Sequence, residues 1–246
     1  MSIGITVLGS SGMFATPERA CSGYLVEIGG ARIWMDAGAG TWRNLLDHAH
    51  YRQIDAILLT HRHPDHVTDV FQAFHARLFG VPEALPAIPL WAPQETIDAL
   101  EGFDADLGET FEIRPVQEGA AVEFGGACLS FVRMAHPPVT LGVRIEHAGK
   151  VIAYTADSGP AADFGALAQG ADLFICEATL QERDKAWEGH LSAAQAAAIA
   201  SEVSAKKTVL THLPPGRDLG LSFAEARRAS DGGDVQLAAD GLRLEL

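Results

Sequence analysis

Residues 55–60 read Asp-Ala-Ile-Leu-Leu-Thr and run without a break into His61-Arg62-His63-Pro64-Asp65-His66. An uninterrupted apolar run of this kind is a strand covered on both faces, so the chain must place further layers on either side of it. His61, His63, Asp65 and His66 then crowd the end of that strand, where packing gives no reason for them. In extended backbone, side chains two apart point the same way. His61 and His63 can therefore grip one metal ion while Asp65 and His66, turned by Pro64, face a second.

Partners for such ions appear downstream. Met134-Ala135-His136, Tyr154-Thr155-Ala156-Asp157 and Leu210-Thr211-His212 each close an apolar run, and the carboxyl ends of such strands are where loops gather into a site. Imidazole nitrogens with a carboxylate able to bridge suit two borderline cations with room for a water between them, zinc first and manganese second.

The rest of the chain supplies the frame. Residues 3–8, 23–28 and 32–35 read as strands, the last two joined by the turn Gly29-Gly30, before a helix over 41–48. A second helix is expected over 67–79, ended by Gly80 and Pro82. Strands follow at 121–124, 127–134, 141–146, 150–155 and 173–176, then an alanine-rich helix at 192–204 and a strand at 208–210. Strand clusters that twice end in helices predict an α/β chain of two similar halves, roughly 1–115 and 116–246, whose sheets stack face to face with helices outside. No Ser/Gly/Pro-rich linker divides them, so 1–246 reads as one domain.

Composition removes other classes. A hydrophobic share of 48% is incompatible with disorder. Cys21, Cys128 and Cys176 are too few and scattered for a disulfide framework or a cysteine zinc knuckle, which fits a reducing compartment. No basic leader precedes the first apolar run and no apolar stretch is long enough for a bilayer, so a cytoplasmic setting without membrane contact is expected. The net charge of −14 repels a phosphate backbone, so large nucleic acids are unexpected partners. A homodimer is compatible with this composition.

His-x-His-x-Asp-His at 61–66, followed by lone His136, Asp157 and His212 in that order, resembles the metallo-β-lactamase superfamily of metal-dependent hydrolases over nearly the whole chain. The resemblance implies an αββα sandwich, with His61, His63 and His136 on one metal, Asp65, His66 and His212 on the other, and Asp157 bridging. Gly9-Ser10-Ser11-Gly12, Asp36-Ala37-Gly38, Cys176-Glu177-Ala178-Thr179 and Gly189-His190-Leu191-Ser192 look like the ribonuclease Z-like phosphodiesterase branch. That branch implies catalysis by Asp65, His190 and Glu177, with His190 as the general acid and Glu177 orienting it. Ribonuclease Z carries a tRNA-gripping arm between the lone His and the bridging Asp. Only 21 positions separate His136 from Asp157, so the resemblance implies a small phosphodiester such as a cyclic nucleotide or cyclic phosphate. Alternatives are an RNA 3′-processing nuclease of the ribonuclease Z type, and a carboxylic or thioester hydrolase, which would not need the His190/Glu177 pair. An oxygen-reducing diiron protein would carry Glu in place of His63. A non-catalytic binding protein would have lost a ligand.

Other residues receive plainer readings. Asp36 is expected to hold a ligand imidazole by hydrogen bond, and the loop at 9–12 to form a tight turn at the site rim. His48, His50, His75 and His147 read as surface residues. Arg144 and Arg217 are weaker phosphate candidates, better read as surface ion pairs. Trp34, Trp42 and Trp91 read as core or rim residues, and Trp187 as part of a substrate wall.

Overall fold

In the computed structural model, which describes residues 2–80 and 85–246, the buried run around Ile57 is β4 (Ala56–Leu58). It lies in a sheet with β1 (Ile3–Gly9), β2 (Gly23–Ile28), β3 (Ala31–Ala37), β5 (Ile88–Ala92), β6 (Phe111–Pro115) and β14 (Arg243–Glu245), ordered β14-β1-β2-β3-β4-β5-β6. The second sheet holds β7 (Ala121–Phe124), β8 (Ala127–Arg133), β9 (Leu141–His147), β10 (Lys150–Tyr154), β11 (Leu173–Glu177), β12 (Lys207–Thr211) and β13 (Asp234–Leu237), ordered β13-β12-β11-β10-β9-β8-β7. Both sheets are mixed: β3 to β6 and β10 to β13 run parallel, and the hairpins beside them antiparallel.

The period-two alternation of strand side chains sorts the core into layers. Ile5, Val26, Met35 and Leu58 from one sheet meet Leu129, Val143, Ile152, Ile175 and Val209 from the other between the sheets. Their neighbours in sequence face outward. Trp34, Ile57 and Leu90 pack under α1 (Thr41–His48), α3 (Val70–Phe79) and α4 (Gln94–Phe103). Ala153, Phe174 and Leu210 pack under α5 (Phe164–Ala168), α6 (Ala193–Glu202) and α7 (Leu219–Ala229). Helices thus cover both outer faces, and the chain is the αββα sandwich that the sequence implied.

The helix expected over 67–79 is two pieces, α2 (Pro64–Val67) and α3. The break has a local cause. The Asp69 backbone N–H donates to the Ala37 carbonyl at 2.8 Å, while its carboxylate accepts from the Gly40 and Trp42 N–H groups at 2.8 Å each. These bonds tie the joint to the start of α1 and stop α2 from running on. Gly80 closes α3; Pro82 lies outside the described residues. The helix expected at 192–204 begins where its cap requires, since Ser192 and Gln195 form a reciprocal capping box. His147 needs correction: it is buried, not superficial, and its Nδ1 lies 2.8 Å from the Gly126 carbonyl, joining β9 to the β7–β8 turn. His48, His50 and His75 are exposed, as expected.

Candidate metal centre

Thr60 to His66 follow β4, His136 follows β8, Asp157 follows β10 and His212 follows β12, so strand ends from both sheets deliver them to one edge of the sandwich. All the expected ligands converge there. His61, His63, His136 and Asp157 offer donor atoms within 4.8 Å of one another, and so do Asp65, His66 and His212. Asp157 stands between the two groups: its Oδ2 is 3.7 Å from His61 Nε2 and 3.7 Å from His136 Nε2, and its Oδ1 is 3.2 Å from His66 Nε2 and 3.3 Å from His212 Nε2.

The outer ring nitrogens fix which tautomers face the centre. His66 Nδ1 lies 2.8 Å from the Asp36 carboxylate and His136 Nδ1 2.8 Å from the Gly189 carbonyl; both partners only accept, so each Nδ1 carries the proton. The Thr60 hydroxyl donates to Asp36 at 2.9 Å and therefore accepts from His61 Nδ1 at 3.1 Å. The Thr179 hydroxyl donates to the His212 carbonyl at 3.3 Å and accepts from His212 Nδ1 at 2.8 Å. Unprotonated Nε2 atoms of His61 and His136 consequently point inward, each 3.1 Å from His63 Nδ1. One proton on His63 can satisfy only one of them. His66 Nε2 and Asp157 Oδ1 are buried against each other at 3.2 Å, and neither has a hydrogen-bond partner outside the cluster, so once His66 gives up its Nε2 proton both lone pairs face inward and cost free energy unless a cation takes them. The donor set is therefore one that divalent metal ions fit.

The charge balance agrees. Burial drives the His61 imidazole well below its ordinary pKa and lowers those of His63 and His136. Burial disfavours charge on His66 too, but the adjacent Asp157 and Asp36 carboxylates outweigh it and hold that imidazole well above its usual range. His212 is likewise raised against its burial by Asp157 and Asp65. Burial opposes ionisation of Asp157, and the His212 and His66 charges overcome it, keeping its carboxyl well below the usual range. In the metal-free chain, protons on His66 and His212 supply positive charge that cations can replace.

Asp36 acts as expected and does more. Its carboxylate accepts from the Thr60 N–H at 2.8 Å, the Thr60 hydroxyl at 2.9 Å and the Tyr154 hydroxyl at 2.9 Å as well as holding His66. Met13, Asp36, Ala156 and His212 adopt left-handed φ values of 71°, 56°, 53° and 56° around the cluster. Such strain in non-glycine residues collects at functional sites. The 9–12 loop forms the rim: the Met13 N–H donates to Asp65 Oδ2 at 2.7 Å, and a Cβ on Gly12 would come within 2.7 Å of His212 Nδ1.

Beside the cluster, Glu177 at the end of β11 is fully buried and its Oε1 lies 2.6 Å from His190 Nδ1. The same carboxylate accepts from the Ser158 N–H at 2.9 Å and the Thr179 N–H at 3.0 Å. His190 also reaches the centre: it, Asp157 and His212 offer donor atoms within 4.8 Å of one another. Thr60 and Thr179, the hydroxyls that orient His61 and His212, had no role in the sequence reading. Their only trace is a threonine just before His61 and another two residues beyond Glu177, each past a strand end. Arg144 is tied to Glu146, Leu167 and Gln169, and Arg217 to Asp184, as surface pairs rather than phosphate contacts. Trp34 and Trp91 are buried in the core, and Trp187 flanks His190.

Fold and site together define a hydrolase of the metallo-β-lactamase fold. The chain belongs to the β-lactamase superfamily, whose domain matches residues 31–213. Among solved structures it is similar to the metallo-β-lactamase fold protein YhfI of Bacillus subtilis, with 26% identity, a TM-score of 0.91 and coverage of 100% of this chain and 99% of that one. A diphosphatase of the PhnP family shares 26% identity at a TM-score of 0.81, covering 100% and 98%. The ribonuclease Z of Archaeoglobus fulgidus is 26% identical, with 98% of this chain and 97% of that protein covered. That alignment spans 301 positions against the 246 residues here, so the ribonuclease carries segments with no counterpart in this chain. Among the described residues no helix is long and apolar enough to cross a membrane.

Proposed function

We propose that this protein is a binuclear metal-dependent phosphodiesterase acting on a small phosphodiester such as a cyclic nucleotide or a cyclic phosphate. The buried Glu177–His190 pair set against the histidine and aspartate cluster carries the reading. His61, His63 and His136 would hold one ion, Asp65, His66 and His212 the other, with Asp157 shared. Such ions, zinc first and manganese second, polarise phosphoryl oxygens and make water acidic enough to attack at neutral pH.

The chain's own residues supply the rest. Glu177 accepts from His190 Nδ1–H, so the proton that His190 can give to a leaving oxygen comes from Nε2. Gly189 fixes His136 through its carbonyl, and Asp36 and Thr179 fix His66 and His212, so the donors stand preorganised. An ester with a good leaving group, as in a thioester, has no need of that second proton donor.

Substrate size follows from the β9–β10 hairpin, which takes up most of the interval between His136 and Asp157 and leaves no tRNA-gripping arm there. The ribonuclease Z likeness favours RNA 3′ processing as the second reading. Purified, metal-analysed protein assayed against cyclic nucleotides, cyclic phosphates, short oligonucleotides, a lactone and a thioester decides the class. Turnover of the lactone or thioester above every phosphodiester overturns the proposal.

A further inference from the structure

Beside His136 and His190 opens a cleft of about 650 Å³ walled by Ala135, Pro137, Pro160, Ala161 and Trp187. We infer that this cleft seats the nucleobase of a nucleoside phosphodiester, and that Trp187 selects such substrates by stacking on the base. The inference rests on the phosphodiesterase reading of the adjacent cluster.

Trp187 is 48% exposed, so part of its ring surface is open to a ligand in the cleft. It is nevertheless held in place. Its ring centroid lies 4.7 Å from that of His190 and 5.7 Å from that of His136. A Cβ on Gly189 would approach the indole to 2.8 Å, so only glycine lets the ring lie against the backbone that carries His190. A Cβ on Gly159 would strike the Glu188 carbonyl at 1.6 Å, so glycine there allows Pro160 and the Trp187 segment to close on each other. Pro137 opposite begins a loop pinned by Arg133 Nη1, which donates to the Pro138 and Thr140 carbonyls at 3.2 and 3.1 Å, and by Glu95, which accepts from the Val139 N–H at 2.9 Å.

The lining selects the occupant. It contains no Lys or Arg and is formed mostly by Ala, Pro, Gly and Trp, so it offers no charge to hold a second phosphate while a flat neutral ring is accepted. The volume lies within the range of small-ligand sites. Because the cleft adjoins His190, it holds the side of the substrate whose oxygen receives the proton. In a cyclic ester that oxygen stays on the nucleoside, so the product nucleotide keeps its base in the cleft.

The test is equilibrium binding of adenosine monophosphate and of ribose 5-phosphate to metal-loaded protein by calorimetry, with Trp187→Ala and Trp187→Phe. Stacking on an aromatic side chain should make the nucleotide bind roughly ten-fold tighter or more. Trp187→Ala should bring the two within about two-fold of each other while leaving ribose 5-phosphate unchanged, and Trp187→Phe should keep most of the preference. No nucleotide preference, no nucleotide binding at millimolar concentration, or equal weakening of both ligands in Trp187→Ala overturns the inference. Hydrolysis of cyclic AMP without that preference sinks the cleft alone and leaves the phosphodiesterase reading standing. A Trp187-dependent preference in a protein that hydrolyses no phosphodiester supports the cleft and sinks the phosphodiesterase reading.

Discussion

Glu177 and His190 lie 2.6 Å apart, the carboxylate fully buried and the imidazole partly open to the site. Because Glu177 also accepts from the Ser158 and Thr179 N–H groups, its position is set by the backbone rather than by the histidine. A pair built this way presents one nitrogen outward in a fixed direction, as proton transfer to a leaving group requires.

His190→Ala should therefore keep fold and metal but lower turnover of an unactivated phosphodiester roughly 10²–10⁴-fold. On bis-p-nitrophenyl phosphate, whose leaving group needs no proton, the loss should be much smaller. Glu177→Gln should reproduce the same split more weakly, since an amide cannot accept from every donor around it. Equal losses on both esters, or loss of metal, would make His190 a packing residue or a ligand.

Saturation with metal should give about two ions per chain, because the donors divide into two groups around Asp157. Asp157→Ala should lose metal and activity together; full retention of both ions would refute the ligand assignment. Asp157 and Asp36 hold His66 protonated above its usual range, and Asp157 does the same for His212. Their protons must leave when metal enters, so affinity should fall as pH falls. Calorimetry in buffers of different ionisation enthalpy measures the release, and metal uptake without proton release would show that His66 and His212 are not held protonated in the metal-free chain.

Asp36→Asn tests the support beneath the ligands. Asp36 accepts from Thr60, Tyr154 and His66 in a fully buried position, and an amide oxygen cannot receive them all. Metal affinity should drop roughly 10–100-fold. The metal-free protein should lose roughly 1–3 kcal/mol for each donor left stranded. Unchanged metal affinity, with only the melting temperature lowered, would reduce Asp36 to a packing role.

The cluster was legible because histidines and aspartates at apolar strand ends are hard to explain by packing, and the layers were legible because Trp34/Met35 and Ile57/Leu58 alternate in strands covered on both faces. Other elements were hidden for local reasons. β5 contains Pro89 and β6 ends in Pro115, residues that argue against a strand. β13 and β14 are short edge strands without a clear apolar alternation. The break between α2 and α3 depends on Asp69 reaching Gly40 and Trp42, a contact between distant segments that periodicity does not encode. His147 shows the same limit, since its partner Gly126 lies across a different hairpin.

The charge of −14 and the arm-free interval between His136 and Asp157 lead to the last prediction. A tRNA must be gripped by many Lys and Arg contacts whose counterion release makes binding fall steeply with salt. A cyclic nucleotide offers one phosphate, which the cluster can hold without them. The ratio of kcat/KM for cyclic AMP or a ribose cyclic phosphate over precursor tRNA should therefore be large at near-physiological salt. The small substrate's KM should also change little between roughly 50 and 200 mM salt, a range over which phosphate-gripping proteins lose orders of magnitude in affinity. Cleavage of precursor tRNA at its 3′ end with the highest kcat/KM would replace the small-substrate proposal with the ribonuclease reading.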